Sequence, residues 1–249
     1  MSTSELAELI RSRQPCVVLT GAGVSTESGI PDFRSPTGLW AAVDPTEYAS
    51  IEAFRRDPRK VWSFYKPRVE MLTGARPNPA HSALAELEQI GLVEAVVTQN
   101  IDLLHERAGS ENVVEVHGSI RTATCPGCGR GYELARVLEL LADADAPECP
   151  SCGGILKPDV VFFGELLPPA AIDRAYELAR RARLLLVVGS ALEVYPVAGL
   201  PLETLGTGGE VAIVNRGQTP FDSQASLKVD GSAGEVLPQV VGMLRRRRA

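Results

Sequence analysis

Short, unbroken apolar runs recur along the chain and alternate with segments of helical period. The runs are CVVLT (16–20), EAVVT (94–98), NVVEV (112–116), DVVFF (159–163), LLLVV (184–188) and VAIVN (211–215). Because they lack polar alternation, they predict strands that are buried on both faces. Helical period appears at 80–90 and 170–182, and again in a short N-terminal segment. The pattern predicts an α/β fold with a Rossmann-like, mainly parallel sheet and helices on both of its faces.

Two stretches depart from this alternation and predict insertions. Residues 121–157 carry four paired cysteines and are interpreted as a small inserted module. Residues 31–80 have few strand signals and are interpreted as a helical insertion with a cofactor loop. The remaining segments, 1–30, 81–120 and 158–249, would then form the larger Rossmann-like domain.

Charge and the chain termini restrict the possible partners. The chain has 25 basic and 31 acidic residues, a formal charge of −6, which argues against nucleic-acid binding by bulk electrostatics. The terminal RRRR (245–248) is interpreted as a solvated helix end. No run approaches the ~20 apolar residues of a membrane span, and the first fifteen residues lack a secretory signal pattern. We therefore expect a cytoplasmic protein with no membrane partner and no direct nucleic-acid partner.

The cysteine spacing predicts a metal site. Cys125 and Cys128 form one C-x-x-C pair, and Cys149 and Cys152 form a second after twenty intervening residues. Two such pairs can supply four thiolates to one tetrahedral Zn²⁺, which leaves no open coordination position and indicates a structural ion. The alternative is two redox-active pairs. Cys16 lies in a predicted strand and is interpreted as a small buried apolar residue.

Polar or glycine-rich residues follow most of the predicted strands, where open parallel sheets bind ligands. After the first strand, Gly21-Ala22-Gly23 offers close backbone approach and N–H groups for a pyrophosphate. The dehydrogenase fingerprint also requires a third glycine, where this chain has Thr26, and a second strand ending in an acid, which is not evident. A nucleotide site is therefore predicted, but not a hydride-transfer platform.

Several long motifs together resemble one family. GAGVSTESGIPDFRS, TQNIDLLHERAG, EVHG, the paired C-x-x-C motifs, KPDVVFFGE, VGSALEVYP and VNRGQTPFD occur in the order and spacing of the sirtuins, the NAD-dependent protein-lysine deacylases, over about residues 16–240. By this resemblance the chain is identified as a sirtuin of the bacterial type. The resemblance implies that NAD is consumed as a co-substrate and that the acyl group of acyl-lysine passes to ADP-ribose, with release of nicotinamide, O-acyl-ADP-ribose and free lysine.

The resemblance also assigns roles to individual residues. His117 would be the base that removes a ribose hydroxyl proton, although a lone histidine is often a buried structural residue. Asn100, the second implied catalytic residue, and Asp102 would line the nicotinamide pocket, although QNID could merely cap the next helix. His81 and His105, in predicted helices, are interpreted as structural. The other implied cofactor residues are Gly21, Ala22, Gly23, Thr26, Asp32, Phe33, Arg34, Gln99, Ile101, Gly189, Ser190, Asn215, Ser232 and Ala233.

The segment DVVFFGE resembles the family strand that pairs with the substrate peptide. Main-chain pairing of that kind gives affinity with little demand on sequence. Val160 and Phe162, two residues apart, would lie against the lysine methylenes, followed by Gly164 and Glu165. The alternative is an ordinary buried core strand.

The choice of acyl group depends on Tyr65 and Arg68. One sirtuin class uses this Y-x-x-R spacing to bind the carboxylate of succinyl- or malonyl-lysine. Pro67 lies between the two residues and is expected to disturb a one-face helical geometry, and Thr26 and Asp32 depart from the pattern of that class. Deacetylation is therefore the main prediction, with desuccinylation, demalonylation and protein mono-ADP-ribosylation as alternatives.

Overall fold

The computed structural model describes residues 3–33 and 38–246. The strands defined there are β1 Cys16–Thr20, β2 Ala95–Thr98, β3 Val113–Glu115, β4 Gly118–Thr124, β5 Gly131–Glu133, β6 Lys157–Val160, β7 Leu184–Val188, β8 Glu210–Val214 and β9 Leu227–Val229. The helices are α1 Thr3–Ser12, α2 Leu39–Ala42, α3 Pro45–Tyr48, α4 Ile51–Arg56, α5 Pro58–Gly74, α6 Pro79–Gln89, α7 Leu104–Arg107, α8 Leu134–Ala142, α9 Pro169–Arg181, α10 Leu200–Gly206 and α11 Ala233–Arg246. Short 3₁₀ turns lie at Ala22–Val24, Thr26–Ser28 and Val197–Gly199.

A parallel sheet of six strands forms the centre of the described chain, in the order β3-β2-β1-β7-β8-β9. Successive residues of β1 contribute to opposite faces. Cys16 and Val18 pack with α1, α6 and α11, whereas Val17 and Leu19 pack with α9 and α10. Because helices cover both faces, neither set of positions can be polar. The predicted α/β fold and the buried position of Cys16 are confirmed.

The strand predictions misplace the run at 159–163 and omit β4, β5 and β9. DVVFF was expected among the strands of the main sheet, but β6 ends at Val160 and pairs antiparallel with β4 in a separate sheet of order β5-β4-β6. Its apolar residues pack against α4 and α5, so an apolar run here reflects a different core. Strand β9 was not predicted, because three residues with one lysine make too short a pattern.

A third core cluster, beside those on the two faces of the main sheet, joins the helical stretch (residues 31–80) to the cysteine module (residues 121–157). It contains residues of α4, α5 and α8 together with β4 and β6. Trp62, on α5, donates its indole N–H to the carbonyl oxygen of Leu156 at 2.7 Å, across this cluster. The division of the chain into three units stays a prediction, and the shared cluster means that the two smaller units pack on each other.

Gly118 is required where β3 hands over to β4. Its φ is +68°, and a Cβ atom at this position would collide with the carbonyl oxygen of Asp159 on β6. Glycine therefore allows the two strands to approach and fixes the backbone immediately after His117.

The C-terminal helix ends near the predicted arginine run. Arg245 forms an ion pair with Glu86 of α6, and Arg247 and Arg248 lie outside the described residues. Within 3–33 and 38–246, no helix combines the length and the apolar character needed to cross a bilayer.

Candidate active site

The candidate residues gather at the carboxyl-end edge of the parallel sheet. Each strand of that sheet is followed by residues that were selected from the sequence. The glycine turn follows β1, Gln99 to Asp102 follow β2, His117 follows β3, Ser190 follows β7, Asn215 follows β8, and Ser232 and Ala233 follow β9. Because parallel strands end at the same edge, the fold brings these distant segments together.

The glycine turn packs directly on the end of β7. The N–H of Gly23 donates to the carbonyl oxygen of Gly189 at 2.8 Å. Gly189 has φ +60°, and a Cβ there would collide with the backbone of Val24. Close approach was expected, but the turn continues into two 3₁₀ turns and not into the long helix of a dehydrogenase fingerprint. Thr26, at the position of the missing third glycine, is exposed and donates its hydroxyl to the carbonyl of Gly23.

Asn100 and Asp102 belong to one buried cluster of hydrogen bonds. The side-chain amide of Asn100 donates to the carbonyl oxygen of Gly21 and to Oγ of Ser25, each at 3.1 Å. Ser25 in turn donates its hydroxyl to Oδ2 of Asp102 at 2.7 Å. Oδ1 of Asp102 also accepts the N–H of Leu104, the first residue of α7, at 2.9 Å. The cluster ties the glycine turn to the end of β2.

Two buried histidines lie behind this cluster, with ring centroids 4.9 Å apart. The N–H of Asn78 donates to Nδ1 of His81, which leaves the ring hydrogen on Nε2, 3.4 Å from Oγ of Ser25. Nε2 of His105 lies 2.9 Å from Oγ1 of Thr20. Both histidines lie in helices, as expected. They also contact the cluster around Asn100, which the structural interpretation of these residues did not anticipate.

Acidification is expected to destabilise the fold through these two histidines. Burial lowers the pKa of His81 to about 4 and that of His105 to about 3, from 6.5. Below about pH 6.5 the unfolded chain therefore binds protons that the folded chain does not, so stability falls as pH falls towards 4. The slope is up to about 1.4 kcal/mol per pH unit for each histidine. Urea unfolding between pH 7.5 and 5 measures it, and H105Q, which removes one titrating ring, should flatten the curve. Equal slopes for both proteins would contradict this prediction.

His117 is oriented by the backbone at the end of β2. Its Nδ1 lies 3.0 Å from the carbonyl oxygen of Gln99. A carbonyl can only accept, so Nδ1 carries the ring hydrogen and Nε2 is the basic nitrogen. The side chain of Gln99 donates to Oγ of Ser190 at 2.9 Å, which continues the contact to the end of β7. The structure thus joins three predicted residues from three strand ends.

The other predicted cofactor residues are less closely joined. Phe33 is 36% exposed and stacks on Trp40 at 5.4 Å between ring centroids. Ile101 packs beside the third core cluster. Near Ser232 and Ala233, the carboxylate of Glu27 accepts the N–H of Gly234 at 3.1 Å and so ties the 3₁₀ turn Thr26–Ser28 to α11. Arg34 lies outside the described residues.

The four paired cysteines form one metal site. Their sulfur atoms all lie within 4.8 Å of one another, with Cys125 to Cys152 at 3.4 Å and Cys128 to Cys149 at 3.7 Å. A tetrahedral Zn²⁺ with bonds of ~2.3 Å separates its sulfur ligands by about 3.8 Å, so the arrangement fits. The close sulfur pairs join different C-x-x-C motifs, which favours one shared ion over two separate redox pairs. The hydroxyl of Tyr132 lies 3.1 Å from Sγ of Cys149.

The predicted substrate segment is partly occupied by the protein's own backbone. The N–H of Val161 donates to the carbonyl of His117, and Phe163 bonds to residues 49 and 51. Val160 and Phe162 are 3% and 1% exposed and lie in the third core cluster. The N–H of Glu165 also donates to the carbonyl of Phe162 at 3.0 Å, so this segment is bonded internally as far as Glu165. Contact of Val160 and Phe162 with a lysine chain stays a prediction.

Glu165 stabilises the end of this segment. Its carboxylate lies 3.0 Å from Nζ of Lys157 and accepts the N–H of Phe162 at 2.8 Å. Glu165 therefore stabilises the backbone conformation that follows Phe162.

Tyr65 and Arg68 lie together despite the intervening proline. Helix α5 continues through Pro67, so the expected disturbance of the helix does not occur. Burial raises the pKa of Tyr65, whose ring lies 5.2 Å from that of Phe162. The guanidinium of Arg68 stacks 3.3 Å above the ring of Phe64 and donates to the Phe64 carbonyl. Its buried Nε has no hydrogen-bond partner among the described residues.

Sequence reasoning missed Ser25, Thr20 and Thr98 as parts of the site. Ser25 is contained in the GAGVS motif, so its hydroxyl could have been noticed. Thr20 and Thr98 end apolar strands, and their contact depends on the register of β1 with β2, which no local pattern reveals.

Comparison with known proteins gives consistent matches over nearly the whole chain. The model of the Sir2 family matches residues 21–196. The chain is 46% identical over 241 residues to NAD-dependent protein deacetylase 1 of Pyrobaculum aerophilum, which covers 97% of this chain and 94% of that protein. It is also 46% identical over 245 residues to an NAD-dependent protein deacylase of Pyrococcus abyssi, with 97% and 98% covered. These relatives are archaeal, so they give the bacterial-type assignment no support.

Solved structures share the fold of this chain. A complex described as Sir2 with a p53 peptide and NAD⁺ superposes with a TM-score of 0.89 at 42% identity, covering 98% of each chain. A Sir2 complex with deacetylated p53 peptide and 3'-O-acetyl ADP ribose gives a TM-score of 0.93 at 42% identity, again covering 98% of each chain.

Proposed function

The chain belongs to the Sir2 family and is an NAD-dependent protein deacylase, and from this premise we propose that His117 is the base of its reaction. The observation that carries the proposal is the contact of Nδ1 with the Gln99 carbonyl. Because that contact holds the hydrogen on Nδ1, Nε2 can accept a proton from a ribose hydroxyl. The acyl oxygen of the lysine would attack the ribose carbon that bears nicotinamide, and nicotinamide would leave. The deprotonated ribose hydroxyl would then attack the acyl carbon, and addition of one water would release free lysine and O-acyl-ADP-ribose.

NAD supplies the ADP-ribose that accepts the acyl group, and nicotinamide leaves. Asn100 and Asp102 would hold the nicotinamide end, because their cluster with Ser25 is buried and fixed in place. The glycine turn would approach the phosphates, with Thr26 and Asp32 in the loop that follows. The adenosine end would lie against the residues that follow β7, β8 and β9, which are Gly189, Ser190, Asn215, Ser232 and Ala233.

Aromatic side chains would keep water away from the reacting sugar. Phe33 and Trp40 are stacked, and the ring centroid of Trp40 lies 6.3 Å from that of Phe163 at the end of the substrate segment. This row of rings supports the role given to Phe33. Without it, water would compete with the acyl-lysine for attack on the ribose carbon that bears nicotinamide.

The acylated lysine of a protein or peptide is the second substrate that we propose. Gly164 and Glu165 would pair with its main chain, and the support for this is the resemblance of DVVFFGE to the family strand that pairs with the substrate peptide. The net charge of −6 supports the expectation of no direct nucleic-acid partner. Four thiolates placed to bind one metal ion support a reducing, cytoplasmic location, and the absence of a membrane partner stays an expectation.

Acetyl-lysine is the acyl substrate that we favour. Arg68 is held by Phe64 through stacking and a hydrogen bond, and Tyr65 packs against Phe162, so both side chains have partners of their own. One observation favours the second candidate, a desuccinylase or demalonylase. Arg68 has no carboxylate within ion-pair distance among the described residues, and its Nε has no partner. A dicarboxylic acyl group would satisfy it.

Rates on matched acetyl- and succinyl-lysine peptides are expected to favour acetyl by about tenfold or more, because a buried carboxylate needs a freely available cation. Incubation with NAD followed by mass spectrometry measures both rates. Arg59→Met on the same helix, an exposed arginine paired with Glu148, is the control for Arg68→Met. A succinyl preference that Arg68→Met alone removes would establish the second candidate. Gain of ADP-ribose mass on the acceptor protein would indicate mono-ADP-ribosylation.

A further inference from the structure

A chain of buried hydrogen bonds runs behind Asn100. Nε2 of His105 lies 2.9 Å from Oγ1 of Thr20, and the Thr20 hydroxyl donates to Oγ1 of Thr98 at 2.8 Å. Oγ1 of Thr98 also accepts the backbone N–H of Asn100 at 3.1 Å. The chain therefore begins at a histidine outside the proposed binding surface and ends at a residue of the proposed nicotinamide pocket.

The two threonines hold this chain at a defined place in the sheet. Thr20 and Thr98 are the last residues of β1 and β2 and stand opposite each other in the strand register. They are 0% and 3% exposed, in strands whose other residues are mostly valine and leucine. Valine has the same shape as threonine and would avoid the free-energy cost of burying a hydroxyl. The hydrogen bond between the two threonines offsets that cost.

Packing alone does not account for a histidine at position 105. The residue is 2% exposed, and its Nδ1 has no hydrogen-bond partner among the described residues. An unpartnered buried nitrogen is unfavourable, and an apolar side chain would avoid it. The contact of Nε2 with Oγ1 of Thr20 is the polar interaction that an apolar side chain at this position could not make.

Asn100 is also restrained from its other side. Its side-chain amide bonds to Gly21 and Ser25, and Ser25 in turn lies next to His81. The backbone of Asn100 is held by the Thr98 chain and its side chain by the Ser25 cluster. Each restraint fixes a different part of Asn100. Loss of the bond to its backbone should therefore shift the side-chain amide, while the bonds to Gly21 and Ser25 keep that amide in the cluster.

We propose that His105 is a positioning residue for the nicotinamide end of the site, acting through Thr20 and Thr98 on Asn100. The proposal rests on the role given above to Asn100. His105 and the two threonines are not among the residues proposed to contact NAD or peptide, and would act through Asn100. The hydrogen bonds from His105 through Thr20 and Thr98 fix the backbone that carries the Asn100 side-chain amide. Small errors in the position of such a group weaken catalysis strongly.

Two pairs of variants test the proposal. Thr98→Val removes the hydroxyl and keeps the shape, whereas Thr98→Ser keeps the hydroxyl. His105→Leu removes the polar nitrogens, whereas His105→Gln can place an amide nitrogen near the position of Nε2. Loss of one neutral hydrogen bond corresponds to a change of about fivefold in a binding constant. Thr98→Val and His105→Leu should therefore raise the KM for NAD and the nicotinamide inhibition constant by about fivefold or more, with the KM for peptide unchanged. Thr98→Ser and His105→Gln should stay close to the unaltered protein.

Thermal unfolding of each variant distinguishes positioning from simple structural loss. A fall in Tm with equal changes in the KM for NAD, the KM for peptide and kcat would overturn the proposal, as would equal behaviour of His105→Leu and His105→Gln. Asn100→Ala separates this inference from the proposed function. If Asn100→Ala raises the nicotinamide inhibition constant and Thr98→Val does not, the hydrogen-bond chain is not a positioning device. If Asn100→Ala changes neither constant, the pocket assignment and this inference both fail.

Discussion

Replacing His117 with alanine is expected to lower the deacylation rate by about 10²- to 10⁴-fold, the usual contribution of a positioned general base. The expectation follows from the orientation of the ring, because the Gln99 carbonyl holds Nδ1 and leaves Nε2 to accept a proton. Alanine removes the base and leaves the clusters around Asn100 and Ser190 intact. Binding of NAD and of acyl-lysine peptide should therefore change little.

Product analysis and binding measurements together test this expectation. Mass spectrometry gives the rates of nicotinamide release and peptide deacylation, and calorimetric titration gives the two affinities. Ser119→Ala is the matched control, since Ser119 is a buried polar residue two positions away on β4 and lies outside the proposed site. If His117→Ala deacylates peptide at the unaltered rate, His117 is not the base.

Replacing Cys149 with serine is expected to remove the bound zinc and unfold the cysteine module. A structural Zn²⁺ contributes about 10–16 kcal/mol of apparent binding energy in small zinc peptides, as much as the whole stability of many domains. Cys125 and Cys149 are buried in the same core cluster as residues of α4, α5 and α8. Loss of the ion should therefore spread from the module to the helical stretch and lower the Tm of the whole protein.

Metal analysis and calorimetry test the zinc prediction. The unaltered protein should contain one zinc per chain, and Cys149→Ser should contain almost none. Cys16→Ala is the control, because Cys16 is buried in β1 and lies outside the metal cluster, so its zinc content should be unchanged. Unaltered, fully folded protein without stoichiometric metal would contradict the assignment.

Several elements could be predicted because their cause is local. The apolar runs of β1, β7 and β8 reflect burial on two faces, and that burial appears directly as an absence of polar residues. The C-x-x-C spacing predicts a metal turn because two thiolates need a short reach. The order of the long motifs was sufficient to indicate the family.

Other predictions failed where a local pattern was compatible with more than one environment. The apolar run at 159–163 suits a central strand, but β6 belongs to a separate antiparallel sheet. Pro67 was expected to disturb α5, yet the helix continues through it and leaves Tyr65 beside Arg68. In both cases packing against residues distant in sequence overrides the local preference.

The sequence by itself determined the α/β class and the metal-binding cysteines, because each depends on spacing or period along a segment. The order of several motifs indicated the family, and the resemblance to that family selected His117. Only the tertiary structure decided which nitrogen of His117 is basic, that Ser25 joins Asn100 to Asp102, and that His105 reaches Asn100 through two threonines. These relations depend on strand register and on contacts between residues as much as 85 positions apart. Hydrogen bonds of that kind arise from the three-dimensional packing of the chain and leave no periodic trace in its sequence.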